Sequence, residues 1–111
     1  MNPSVQSLKE WLEGHKNHTI LIQKHEQNDS DQIHIQLHDV DYRSQTNSID
    51  GYLNGSFLFL HGQGSITNGG QEVQLPRDSY VIPVDGLSVT ETEHNRVVLK
   101  TERAEYSLSL V

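Results

Sequence analysis

The chain contains no cysteine. That absence removes disulfides, thiolate zinc sites and thiol nucleophiles together, and it fits a reducing compartment. Long apolar runs are missing too, since no stretch approaches the ~20 apolar residues of a membrane helix. The opening segment, residues 1–10, lacks a basic region followed by an apolar run, so a soluble, cytoplasmic protein with no membrane role is expected. Basic residues are scarce: eight Lys and Arg stand against fifteen Asp and Glu, for a formal charge of −7. With no basic patch in view, nucleic acid would be repelled rather than recruited. Aromatic residues are only 6% of the chain and hydrophobic ones 33%, with a mean hydropathy of −0.61. Such thrift suits a small antiparallel barrel that shows alternate residues to water.

What is present fits one domain of 111 residues. A helix over residues 1–14 opens on Asn2-Pro3 or on the capping box Ser7-Leu8-Lys9-Glu10, and Gly14 stops it. Its stripe of Val5, Leu8 and Leu12, with Trp11 beside it, must dock on something. From residue 15 to residue 111 the period becomes two, with turn residues about every ten positions, the pattern of an all-β sandwich or barrel. Strands are expected near Thr19–Lys24, Gln32–Asp39, Ser56–His61, Gly64–Thr67, Gln71–Leu75, Ser79–Ile82, Leu87–Glu93, Val97–Glu102 and Glu105–Leu110. Residues 40–54 are rich in Asp, Ser, Thr, Asn and Gly, and they read as a long ordered loop.

The segment from Leu60 to Pro83 carries the strongest pattern. It contains Gly62-Gln63-Gly64, the turn Asn68-Gly69-Gly70, and then Leu75-Pro76-Arg77-Asp78-Ser79-Tyr80-Val81-Ile82-Pro83. Gly62 and Gly64 allow a sharp bend, Gly69-Gly70 accepts the positive φ angles of a tight hairpin, and Pro83 ends a strand where no ladder donor is required. This meander resembles the core of the cupin superfamily, with Arg77 where the pattern has glycine. It is similar to the metal-free cupin domain at the C-terminal end of phosphomannose isomerases. The resemblance implies a double-stranded β-helix, or jelly-roll barrel, carrying one short N-terminal α-helix.

The cupin metal ligands have no counterparts here. The family's glutamate falls on Gly55, its paired histidines around Ile49–Gly51 and its later histidine on Ser88 or Val89. No metal and no cofactor is therefore expected. His34 and His38 share a strand face with Gln36, and His61 with Asp39 or Asp41 could complete a set. However, residues four apart on a strand lie about 13 Å apart, too far for one ion. His15, His18 and His25 flank turns or the helix end and read as solvated. No Gly-x-Ser-x-Gly elbow supports a Ser nucleophile.

Phe57-Leu58-Phe59-Leu60 is apolar on both faces, so both faces must be covered. Setting Gly55 on the family's glutamate turns odd positions inward. Phe57 and Phe59 then line a cavity with Tyr80, Ile82, Ser88 and Thr90, while Leu58 and Leu60 meet the helix or a second subunit. Tyr52, Phe57, Phe59, Tyr80, Ser88 and Thr90 are the candidate ligand-binding residues, suited to stacking on a small polar or sugar-like molecule. The first expectation is thus a non-enzymatic small-ligand binding or regulatory module. The rivals are a metal-independent isomerase or epimerase using Tyr or His as acid and base, and a dimerising scaffold whose barrel is filled, with a homodimer as partner.

Overall fold

A computed structural model describes residues 3–45 and 55–111. It shows an all-β protein with one short N-terminal helix, as the sequence predicts. The helix, α1, spans Pro3–Glu13. Eight strands follow: β1 Thr19–Glu26, β2 Asp29–Gln45, β3 Gly55–Asn68, β4 Gln71–Gln74, β5 Ser79–Pro83, β6 Ser88–Glu93, β7 Arg96–Lys100 and β8 Glu105–Leu110.

All eight strands belong to one antiparallel sheet, with neighbours in the order β4-β3-β2-β1-β8-β7-β6. The long strand β3 carries β2 along one edge, while β4 and β5 share its other edge in succession. The path alone makes this sheet curl. β5 and β6 lie at opposite ends of the strand order, six strand spacings or about 29 Å apart if the sheet were flat. Only residues 84–87 join them, and that link reaches at most about 18 Å from Pro83 to Ser88. The sheet therefore rolls into a barrel-like shape that stays open, because β5 and β6 are not hydrogen-bonded to each other.

Two features of β2 and β3 shape this roll. His38 is an extra residue at a bulge between Leu37 and Asp39, and it flips the parity of the strand. Ile33, Ile35 and Leu37 point inward before it, and Val40 points inward after it. Facing them on β3, Gly62 lies opposite Leu37 and Gly64 opposite Ile35. A Cβ on Gly62 would come within 1.9 Å of the Gln36 carbonyl oxygen, and one on Gly64 within 1.9 Å of that of His34. The two glycines thus let two long strands cross closely. Arg77, at φ 54°, takes the left-handed conformation that glycine adopts most readily.

The interior is aliphatic. Ile20, Ile22, Ile33, Ile35, Leu37, Leu58, Leu60, Ile82, Leu99 and Leu108 are all fully buried. Val5, Leu8, Trp11 and Leu12 of α1 join the same core, so the helical stripe docks inside the domain as its period requires. α1 packs on β6 and β2. Two polar contacts fix it there: the Trp11 indole Nε1 donates to the Glu93 carbonyl at 2.9 Å, and the Val89 amide donates to Ser4 Oγ at 3.4 Å.

The segment expected as a loop over residues 40–54 is a strand through Gln45. Val40 and Tyr42 alternate with Asp39, Asp41 and Arg43 and pair with β3 across Leu60 and Leu58. Polar composition hid a period-two pattern there. The two strands expected on either side of Gln63 are one continuous β3.

Candidate functional site

Among the described residues, the expected ligand-binding side chains do not share one face of the sheet. Leu58 and Leu60 are the inward residues of β3, each fully buried, and Phe57 and Phe59 point outward and are half-buried. The expected parity is therefore reversed. The cause is that a four-residue run apolar at every position carries no internal parity signal, whereas the cross-strand register pairs Leu60 with Val40 and Tyr80 on the core side. Tyr80 does face the core, as expected, and packs against it. Ser88 and Thr90 sit exposed on β6, and Thr90, the extra residue of a second bulge, donates its hydroxyl to the Val98 carbonyl at 3.3 Å. Tyr52 lies outside the described residues.

On the outer face of β2, β3 and β5 the register builds a small platform. Asp39, His61 and Ser79 form one row, Asp41, Phe59 and Val81 the next, and Arg43, Phe57 and Pro83 the third. The Phe57 and Phe59 ring centroids are 6.3 Å apart and tilted by 54°, as two side chains on one strand face should be. Arg43 lays its guanidinium over the Phe59 ring at 4.9 Å, within cation–π range. Asp41 Oδ2 contacts His61 Nε2 at 3.0 Å. Lys16 pairs with Asp39 at 3.1 Å, and its hydrogen bond, helped by the Val40 amide, holds the exposed Asp39 carboxyl below the usual range. Val81, opposite Phe59, is 38% exposed, where burial would be the rule for a large aliphatic residue. One flank of the aromatic pair is thus hydrogen-bonding and the other apolar. His61 and Asp41 join here as the sequence suggested. Among the described residues, however, no three His, Asp or Glu side chains are arranged to hold an ion.

Polar concavities lie elsewhere. A groove of 360 Å³ runs between His25, Gln27 and the turn from Lys100 to Glu105. A second, of 220 Å³, is lined by Gln23, His25, Ser30, Asp31, Gln32 and Thr67. Between them Ser30 Oγ meets His25 Nδ1 at 2.8 Å, as direct cross-strand partners. Among the described residues no carboxylate holds the other ring nitrogen of His25, so there the pair lacks the orienting third group of a nucleophilic triad.

Inside the barrel, Tyr80 and Tyr106 keep their protons. Burial is the first cause, and the charges of Asp31 and Glu26 add to it. Tyr80 is raised well above the ordinary phenol range, and Tyr106 is pushed up to about 12. In the unfolded chain both would ionise near pH 10. Below pH 10 the tyrosines are neutral in both states and stability is unaffected. As pH rises past 10 the unfolded chain loses its protons first, so stability drains between pH 10 and about 12. Thermal melting across this window should show a falling midpoint, and Tyr106→Phe should flatten the slope. An equal slope in that variant would contradict the assignment.

His15 corrects another expectation. It is only 8% exposed and packs against Trp11 with ring centroids 4.3 Å apart and planes tilted by 41°. Its position four residues after Trp11 and seven after Leu8 continues the apolar stripe of the helix, a signal present in the sequence.

Comparison with known proteins gives a full-length family match and one relative. A family model described as YmzB-like protein matches residues 1–111. The uncharacterized protein YmzB of Bacillus subtilis (strain 168) is 33% identical over 109 residues, spanning 93% of this chain and 92% of that protein. No solved structure matches. Among the described residues no helix is long and apolar enough to cross a membrane.

Proposed function

The chain belongs to the YmzB-like family, and from that premise we propose that it is a non-enzymatic binding module that takes a small sugar-like ligand on its outer face. The observation that carries this reading is the outward Phe57–Phe59 pair, flanked by Arg43, Asp41 and His61 on one side and Val81 on the other. Only two phenylalanines occur in the chain, and both lie on this face. A pyranose has an apolar C–H face and a rim of hydroxyls. The rings would take the first, and the Asp41 carboxylate, His61 imidazole and Arg43 guanidinium the second.

The aliphatic filling of the barrel supports placing the ligand outside it. Of the groups the enzyme alternative would use, Tyr80 holds its proton too firmly to act as a base near neutral pH, and Tyr52 lies outside the described residues. A homodimer through the same face is the second reading, favoured by the exposure of Val81 beside Phe59. Light scattering separates the two, since only the dimer changes the mass. A cytoplasmic setting belongs to the same proposal, supported by the lack of cysteine.

Calorimetric titration with neutral disaccharides, maltose and cellobiose among them, tests the ligand reading. Phe59→Ala should leave the fold intact and weaken binding at least about tenfold, equivalent to roughly 1.4 kcal/mol. Binding that survives in this variant would place the ligand elsewhere.

A further inference from the structure

We propose that Asn68 is a site of spontaneous deamidation, and that the carboxylate it leaves breaks the latch between the β3–β4 hairpin and the start of β2. The latch is the Asn68 side-chain amide. Its Nδ2 donates to Asp29 Oδ1 at 3.1 Å and to Asp31 Oδ1. Asp29 and Asp31 stand two residues apart on β2, so they share a face of the sheet. Across the ladder from them on β1 lie Glu26 and Lys24, which pair with each other at 3.6 Å. Three carboxylates and a single ammonium therefore meet at this corner, and the Asn68 amide, with two N–H donors, holds two of the three.

The next residue supplies the chemistry. Gly69 has no side chain to shield its amide nitrogen, a Cβ there would meet nothing within 4 Å, and its N–H donates no hydrogen bond among the described residues. In the reaction that nitrogen attacks the Asn68 Cγ and gives up its proton, the Cγ–Nδ2 bond breaks, and ammonia leaves carrying a proton in its place. Water then opens the cyclic succinimide at either carbonyl, leaving aspartate or isoaspartate at position 68. The hairpin opens readily enough for this step: β4 is four residues long, exposed throughout and at the end of the strand order, the kind of element that opens before the core does. It does not close again as before. The product has lost both donors and sets a further carboxylate against Asp29 and Asp31, like charges that repel across a sheet.

Prolonged incubation of the natural chain at mildly alkaline pH, followed by peptide mapping with mass spectrometry, should show aspartate and isoaspartate accumulating at position 68, read separately from Asn54-Gly55, the other Asn-Gly pair of the sequence. Gly69→Ala, which puts a methyl group beside the attacking nitrogen, should slow that conversion several-fold. Asn68→Asp should lower the melting midpoint by about 4–8 °C, and by more than Asn68→Ala, which removes the donors without adding charge. An intact Asn68 in the folded protein once the same chain unfolded in urea has converted, or an Asn68→Asp variant that melts no lower than Asn68→Ala, would overturn the proposal.

Discussion

Gly64→Val is expected to lower the melting midpoint by more than roughly 10 °C, with Gly62→Val close behind. The new Cβ at Gly64 would lie 1.9 Å from the His34 carbonyl oxygen and 2.8 Å from the Ile35 Cα. Those are backbone atoms of β2, locked in the ladder, and they cannot swing aside as a side chain would. Overpacking of this kind costs at or above the top of the roughly 1–3 kcal/mol range. Against a total stability of about 5–15 kcal/mol, the melting midpoint should fall by more than roughly 10 °C. Gly69→Ala is the control. It meets nothing within 4 Å and is strained only by a φ of 60°, worth roughly 1–2 kcal/mol. Circular dichroism melts should rank Gly64→Val and Gly62→Val far below Gly69→Ala, and equal midpoints would remove the close-crossing account of β2 and β3.

The second large effect separates the two faces of β3. Leu58→Asp should unfold the chain, because Leu58 has no solvent exposure and a carboxylate there would be buried without a partner, at a cost of several kcal/mol. Phe57→Asp, one residue away but outward and half-buried, should cost about 1 kcal/mol and keep the spectrum of a folded barrel. If Phe57→Asp unfolded the protein and Leu58→Asp did not, the parity would be the reverse of the one described.

That contrast also marks how far the sequence could be read. Alternation in β8 is clean, Tyr106 and Leu108 against Ser107 and Ser109, and short apolar runs bounded by turn residues mark β1 and β7, so the class, the helix and most strands were legible. Gly62 and Gly64 announced a bend, and the structure gives its cause in the approach of β2. Strand path was not legible: the pairing of β1 with β8 and of β5 with β3 depends on contacts between distant segments, which no local pattern records. The parity of residues 57–60 was illegible for a different reason, since four apolar residues look alike from either side and only the bulge at His38 sets which pair faces Val40. The outer platform was hidden with it. Its residues were named in the sequence, Phe57 and Phe59 as ligand contacts and His61 with Asp41 as a pair, but the side of the sheet was not. His15 was legible in principle, because the stripe of α1 runs through Leu8, Trp11 and Leu12 to it.

The central claim is that a filled barrel offers its aromatic pair outward to a small sugar-like ligand. Two-dimensional NMR of the isotope-labelled chain, titrated with a neutral disaccharide such as maltose or cellobiose, addresses it directly. The predicted result is a set of shifting amides confined to Asp41, Arg43, Phe57, Phe59, His61 and Val81, with the methyl groups of Ile22, Ile35, Leu60 and Leu108 unmoved. Shifts concentrated on those interior methyls, or no shift at the platform across the disaccharides tried, would contradict it.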